Sequence, residues 1–177
     1  MRGRTLAGCV ALAGLCGALL GAGIASAQEF TGYGDVTFGA SETAAKKRYP
    51  AARAVGQLDN LGAPFLGGAH IDRLILDKQS VAGLPKPTTV ELRFWKDQLW
   101  GVIVYFGDNT DQQVTDLLTK RLGPSQSKDP TRLTWVGTKT QTSATIKQRW
   151  YGVTDLALSK EAQAWLAGEL RKKPHEH

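Results

Sequence analysis

The alternation of apolar and polar residues predicts two similar halves after an apolar leader. In each half a Phe-Gly pair and a hydroxyl residue come before a helical pattern, and strand-like runs follow it. The first helix is predicted from Glu42 to about Tyr49, with Ser41 as its N-cap. The strand-like runs that come after this helix are 70–78, 89–95 and 99–106,.

The second helix has the stronger signals. Thr110 and Gln113 have the spacing of a capping box, and Gly123 suits the left-handed conformation that often ends a helix. A single apolar stripe along this helix contains Val114, Leu117, Leu118 and Leu122,. Three more strands are predicted, at 132–138, 143–151 and 153–159, and a last helix is predicted after Ser159.

This order of elements predicts an α+β fold in which helices cover one face of an antiparallel sheet. A unit of one helix and three strands would occur twice, over 33–106 and 107–171, with a C-terminal helix before the tail 172–177. A tandem duplication would produce this recurrence. Chance is the alternative, because a Phe-Gly pair followed by a helix cap is a common way for a chain to leave a strand. Only the order of the elements recurs, and the residues of the two halves hardly match,.

Residues 1–27 have the three parts of a cleaved secretory signal. Arg2 and Arg4 form the charged start, an apolar run follows, and Ala25-Ser26-Ala27 matches a small-residue cleavage site. Cleavage would release a single domain, 28–177, into the periplasm or the medium. An uncleaved anchor helix is the alternative, because about 20 apolar residues suffice to span a bilayer.

Both cysteines lie in the same leader. Cys9 ends the tetrapeptide LAGC, which has the form of a lipoprotein processing signal, but no apolar stretch precedes it. Without Cys9 and Cys16 the released domain has no disulfide, thiol nucleophile or cysteine-ligated metal. The formal net charge of the whole chain is +6, and the loss of Arg2 and Arg4 leaves a mildly basic domain. Such a charge allows an acidic partner without requiring one.

Candidate catalytic and metal-binding residues are few. His70 has no second ligand at a metal-binding spacing, and His175 and His177 lie on the terminal tail,. The sequence has no glycine-rich phosphate loop and no Gly-x-Ser-x-Gly elbow,. We therefore expect no cofactor, no metal and no nucleic-acid partner. A catalytic pair of carboxylates, as in a hydrolase of envelope polymers, is an open alternative, because a sequence does not show which carboxylates folding brings together.

Two surfaces are candidates for binding a partner. The first is a hairpin tip, where Trp95 and Trp100 flank the predicted turn and could anchor a partner if exposed; core packing of both is the alternative. The second is a basic outward row on the strand 143–151, which could meet an anionic envelope component or an acidic protein; a solvated sheet face is the alternative. The candidate residues are Trp95, Trp100, Arg132, Lys139, Lys147, Arg149 and Tyr151.

The segments YGDVTFGASETAAKKRYP and LRFWKDQLWGVIVYFG resemble a pattern of small exported bacterial proteins. In outline they are similar to the helix-plus-sheet repeat of the β-lactamase inhibitor protein and of the small outer-membrane assembly lipoproteins. Those proteins usually have Gly-Met-Ser/Thr at the cap, where this chain has Gly39-Ala40-Ser41, and the inhibitor protein has disulfides. The resemblance implies the α+β fold and carries over no binding residue.

These observations predict an exported, non-enzymatic binding domain of unknown partner. A hydrolase of envelope polymers that uses carboxylates is one alternative. A protein inhibitor of an exported enzyme, which the resemblance implies, is another.

Overall fold

A computed structural model describes residues 28–55, 71–127 and 129–172. Its helices are α1 (Glu42–Arg48), α2 (Asp111–Leu122) and α3 (Leu156–Lys172). Its strands are β1 (Gly32–Tyr33), β2 (Val36–Thr37), β3 (Arg53–Ala54), β4 (Ile71–Gln79), β5 (Thr88–Trp95), β6 (Gln98–Tyr105), β7 (Arg132–Val136), β8 (Thr140–Thr145) and β9 (Trp150–Asp155). The predicted α+β class is confirmed. No helix within these ranges is both long and apolar enough to cross a bilayer.

Seven strands form one antiparallel sheet in the order β3-β4-β5-β6-β9-β8-β7, and β1 and β2 form a separate hairpin. Strands β4 to β6 make one meander and β7 to β9 make another. The two meanders join where their last strands, β6 and β9, pair in antiparallel fashion. Each meander follows a helix, α1 or α2, so the order of elements that recurs along the sequence also recurs in space.

The inner face of the sheet, on which Val90, Leu92 and Phe94 lie, carries the main core. These three side chains alternate along β5 and have no exposed surface. Helices α1 and α2 cover them with the buried residues Ala45, Val114 and Leu118. Because burial of one large aliphatic or aromatic side chain contributes about 1.5–3 kcal/mol, this face accounts for most of the apolar stabilisation.

The predicted boundaries of α2 are confirmed by its caps. The backbone N–H of Gln113 donates to Thr110 Oγ1 at 3.3 Å, and the backbone N–H of Thr110 donates to Gln113 Oε1 at 2.8 Å. Gly123 follows the last turn with φ of 83°, a conformation that residues with a side chain rarely adopt. The capping box and the glycine together position α2 over the inner face.

The outer face, on which Glu91, Arg93 and Trp95 lie, packs against α3. A second cluster of buried residues joins the two, and its members are Ile71, Trp95, Trp100, Leu158 and Ala162. Trp95 is 2% exposed and Trp100 is 6% exposed. The two tryptophans are therefore core residues beneath the last helix. This is the core-packing alternative of the sequence analysis, and the exposed hairpin tip is not formed.

Glu29, near the start of the described chain, is hydrogen-bonded to the turn between β7 and β8. The Glu29 carboxylate accepts backbone hydrogen bonds from Thr138, Lys139 and Thr140 at 2.7 to 2.8 Å, and it also accepts from both threonine hydroxyls. Burial raises the pKa of Glu29, but the hydrogen bonds outweigh it and bring the pKa down to about 2. The guanidinium of Arg121 lies 3.7 Å from the ring centre of the adjacent Phe30.

The loop before β7 covers the free edge of that strand. The side-chain amide of Gln126 donates to the Val136 carbonyl at 3.1 Å and accepts from the Val136 N–H at 3.2 Å. Ser125 Oγ bonds both backbone groups of Thr134 in the same way, at 3.1 and 3.0 Å. At Thr134 and Val136, the backbone groups on the free edge of β7 are therefore satisfied within the chain,.

We expect the substitution E29Q to lower the free energy of unfolding by about 1–2 kcal/mol at neutral pH, because a glutamine oxygen holds these donors less strongly than a carboxylate does. The pKa of Glu29 is lower in the folded protein than its ordinary value of 4.5. Its contribution is therefore complete above about pH 4.5 and is lost as the pH falls toward 2.

Urea unfolding of both proteins at about pH 6 and about pH 2.5 tests this, and the difference between them should shrink at the lower pH. The control is E161Q, whose half-exposed carboxylate lies 3.7 Å from Lys96 and should contribute less than about 0.5 kcal/mol. A difference of the same size at both pH values would contradict the assignment.

Candidate functional site

The outer face and α3 enclose a pocket of about 450 Å³, called the outer pocket below. Its floor includes Ile103 of β6, Gly152 of β9 and Ser143 of β8, which lie side by side across three neighbouring strands. The floor belongs to the outer face because side chains alternate along a strand and the next residues, Val102 and Val153, lie in the inner core,. A pocket of this size is in the range of small-molecule binding sites.

Gly152 leaves space above the floor of the outer pocket because it has no side chain. A Cβ atom at that position would stand 2.6 Å from Cδ1 of Ile103 and 3.4 Å from Cζ3 of Trp150. Any side chain there would push Ile103 away from its place in the floor. The shape of the outer pocket therefore depends on a residue without a side chain at the centre of the sheet.

Helix α3 forms one wall of the outer pocket with a single stripe of its surface. The residues of this stripe recur at helical spacing and are Leu156, Ser159, Lys160 and Gln163,. The core residues Leu158, Ala162 and Trp165 form a different stripe. Trp100 fixes the wall to the sheet, since its Nε1 donates to Ser159 Oγ at 2.8 Å.

The start of α3 corrects the sequence analysis. The helix begins at Leu156, whereas the sequence analysis placed a strand over 153–159 and the helix after it. Asp155 explains the difference, because its Oδ1 accepts from the backbone N–H of Leu158 at 2.8 Å, as an N-cap side chain does,. The earlier start places Leu156 and Ser159 on the same helical stripe as Lys160, and this stripe forms the pocket wall.

The charged side chains that line the outer pocket are all cationic: Arg93, Arg132 and Lys160. No aspartate or glutamate lines it within the part of the chain that the structure describes. Arg132 and Lys160 are exposed. A concave site bordered by charges of one sign raises the local concentration of ligands of the opposite sign.

A buried carboxylate, that of Glu91, forms a hydrogen-bonded ion pair with Arg93. The side chain of Glu91 is 2% exposed, and its Oε1 lies 2.8 Å from Nε of Arg93 and 3.8 Å from Nη1 of Arg73. The Tyr105 hydroxyl donates to Oε2 of Glu91 at 2.6 Å. Burial, together with this hydrogen bond and the carboxylate charge, raises the pKa of Tyr105 to about 12, so the phenol stays a donor at neutral pH.

The predicted basic row is wrong. The strand predicted at 143–151 is interrupted by a turn at 146–149, in which Arg149 has φ of 58°. Tyr151 is 2% exposed and packs in the inner core beside Phe30 and Phe106. Lys147, Arg149 and Tyr151 therefore do not share an outward face, because the turn separates the first two from the third.

Arg149 stabilises the fold. Its guanidinium donates to the carbonyls of Gly107 and Asn109 at 2.9 and 2.7 Å and lies 3.2 Å from Asp111. These contacts hold the loop in front of α2.

The other candidate residues are divided between the pocket and its surroundings. Trp100 and Arg132 line the outer pocket, and Trp95 packs next to Trp100 under α3. Lys139 lies in the β7–β8 turn, where its backbone N–H binds Glu29. Two of the seven candidates thus meet at one site.

The sequence analysis missed Arg93, Lys160 and Gly152. Alternation in VELRFW places Arg93 beside Glu91 on one face, which is a usable signal for a charged cluster. Asp155 as an N-cap would have started the helix at Leu156 and so placed Leu156, Ser159 and Lys160 on one helical stripe,. Nothing in a single sequence marks Gly152 as the floor of a pocket.

Other predictions concern residues outside the described ranges. These are the leader 1–27 with Cys9 and Cys16, the histidines His70, His175 and His177, and the tail beyond Lys172. They stay predictions. Among the residues that the structure does describe, no three His, Cys, Asp or Glu side chains are grouped as a metal site would require.

We expect R149A to lower the free energy of unfolding by about 1.5–3 kcal/mol, because it removes hydrogen bonds made by a charged group. The matched control K147A, at an exposed position of the same turn, should change it by less than about 0.5 kcal/mol. Urea unfolding at neutral pH measures both. Equal, small effects would show that Arg149 is as dispensable as its neighbour.

Comparison of the chain with protein-family models, with curated protein sequences and with solved structures gives no match. The resemblance to exported helix-plus-sheet proteins therefore stays a prediction.

Proposed function

We propose that this chain is an exported, non-enzymatic binding domain and that its ligand is an organic anion with an apolar part, held in the outer pocket. Export is supported by the signal-like pattern of residues 1–27,. The single observation that carries the proposed ligand is the lining of the pocket, in which all the charged side chains are cationic and stand beside tryptophan and aliphatic side chains.

The uncharged polar groups of the pocket also favour an anion. Ser159 Oγ accepts from Trp100, and Ser143 Oγ accepts from the Gln141 amide at 3.3 Å. Each hydroxyl proton is then available to donate to a ligand. Hydroxyl donors and cations together match a ligand rich in hydrogen-bond acceptors.

The apolar part of the lining supplies a surface for the rest of the ligand. Trp100 and Ile103 are buried, and Trp150 and Leu156 are partly exposed toward the pocket. Burial of apolar area stabilises a complex by roughly 25 cal/mol per Å², whereas the surrounding charges mainly provide orientation and selectivity. The volume suits a ligand group the size of one ring or a short acyl chain.

The carboxylate arrangement supports binding over the hydrolase alternative. A glycosidase needs two carboxyl groups on either side of the bond to be cleaved. Glu91, the carboxylate bonded to the lining residue Arg93, is buried and has one oxygen bonded to Arg93 and the other to Tyr105. Its contacts are those of a group that orients an arginine.

Binding of 4-phenylbutanoate, with the neutral 4-phenylbutanol as its isostere, tests the proposal. We expect saturable quenching of tryptophan fluorescence by the acid, because Trp100 and Trp150 line the pocket. The double variant R132Q/K160Q should weaken binding of the acid by about tenfold, or ~1.4 kcal/mol, and leave that of the alcohol nearly unchanged.

The control is K47Q/K120Q, which removes the same charge from exposed positions on α1 and α2, over the opposite face of the sheet. It should bind the acid as the parent protein does. Equal affinity for acid and alcohol, or no saturable binding of either, would overturn the proposal.

A further inference from the structure

We infer that Arg93 binds the charged group of the ligand in the outer pocket and that this group is a carboxylate. This inference rests on the proposed function and specifies its ligand. It assigns different tasks to the three cations of the pocket, with Arg93 fixing the charged group and Arg132 and Lys160 attracting it from the rim.

The first step is the position of the Arg93 guanidinium. Its Nε donates to Glu91 Oε1 at 2.8 Å, and its side chain is 18% exposed and lines the pocket. The guanidinium also interacts with the Tyr105 hydroxyl, and neither of its terminal nitrogens is a buried atom without a partner. The guanidinium therefore has N–H groups beyond those that face Glu91 and Tyr105, and its side chain borders the open space of the pocket.

The second step is the rigidity of this arrangement. Oε2 of Glu91 is held by Tyr105 at 2.6 Å, and Arg73 approaches Oε1 at 3.8 Å. The carboxylate is 2% exposed and is bonded on both oxygens, so it holds the plane of the Arg93 guanidinium before any ligand arrives. Such preorganisation lowers the entropy lost on binding.

Gly101 of the neighbouring strand leaves space beside Arg93 for a ligand. Gly101 of β6 is the register partner of both Arg93 and Thr154. A Cβ atom there would be 3.9 Å from Cβ of Arg93 and 3.5 Å from Cγ2 of Thr154. Because Gly101 has no side chain, β6 leaves space on the pocket side of Arg93.

The last step is the match between the donors and the anion. With Nε occupied, the guanidinium offers its two terminal nitrogens as a planar fork, which fits the two oxygens of a carboxylate in two parallel hydrogen bonds. A lysine is a compact point charge and has no such fork. The fork also accommodates two oxygens of a tetrahedral anion, but a sulfonate spreads its charge over three oxygens, so each is a weaker acceptor than a carboxylate oxygen. Two charge-assisted hydrogen bonds to Arg93 should therefore favour the carboxylate, and a lysine in its place, which makes no such pair of bonds, should lose this preference.

The test compares 4-phenylbutanoate with 3-phenylpropane-1-sulfonate. We expect the parent protein to bind the carboxylate about tenfold more tightly. In R93K this preference should vanish, with the carboxylate weakened about tenfold and the sulfonate changed by less than about threefold. The matched control R132K should keep the preference.

A crystal structure of the parent protein with 4-phenylbutanoate gives a second measurement that does not depend on the folding of R93K. The carboxylate should lie within hydrogen-bond distance of both terminal nitrogens of Arg93. A carboxylate paired with Lys160 or Arg132 instead, a preference retained in R93K, or a parent protein that binds both probes equally would overturn the inference and leave the proposed function standing. Failure of the parent protein to bind either probe would overturn the proposed function itself.

Discussion

The pairing of β6 with β9 is the constraint on which the rest of the structure depends. Five register pairs, from Gly101 with Thr154 to Tyr105 with Trp150, join the two meanders into one sheet. On one side of this seam Val102 and Val104 meet Tyr151 and Val153 in the inner core. On the other side Ile103 meets Gly152 in the floor of the outer pocket. Because side chains alternate between faces, a slip of one residue would exchange the two surfaces.

The two faces of the sheet have different chemistry because they have different covers. The inner face is covered by two helices and is packed with apolar side chains. The outer face carries a buried ion cluster around Glu91 and has α3 along one side. Buried ion pairs are weak contributors to stability, since desolvation offsets much of their attraction. The cluster is better understood as a way to orient Arg93 than as a source of stability.

The first meander and α2 could be predicted from the sequence because their signals are local. Alternating residues and a predicted tight turn at 96–98 defined β5 and β6 to within a residue, and the capping box with Gly123 defined α2. The second meander gave weaker signals. Its turn at 146–149 has neither glycine nor proline and uses Arg149 in a left-handed conformation, and the buried residues of β8 include Thr140 and Thr142.

The outer pocket lay beyond sequence analysis for a different reason. Its residues come from five neighbouring strands and a helix, and they meet only when β6 pairs with β9. A prediction of the pocket needed the strand order, which no local pattern supplies. Arg132 was found because it lies in a basic stretch, and Trp100 because it flanks the predicted hairpin turn. Neither was found as part of a cavity.

The Ser125 and Gln126 side chains at the border of β7 have a consequence for association between copies of the chain. A strand from another molecule could extend the sheet there only after displacing hydrogen bonds that the chain already makes with itself. Polymerisation templated by this border is therefore disfavoured even at high protein concentration. Contacts between copies on this side would have to use side-chain surfaces.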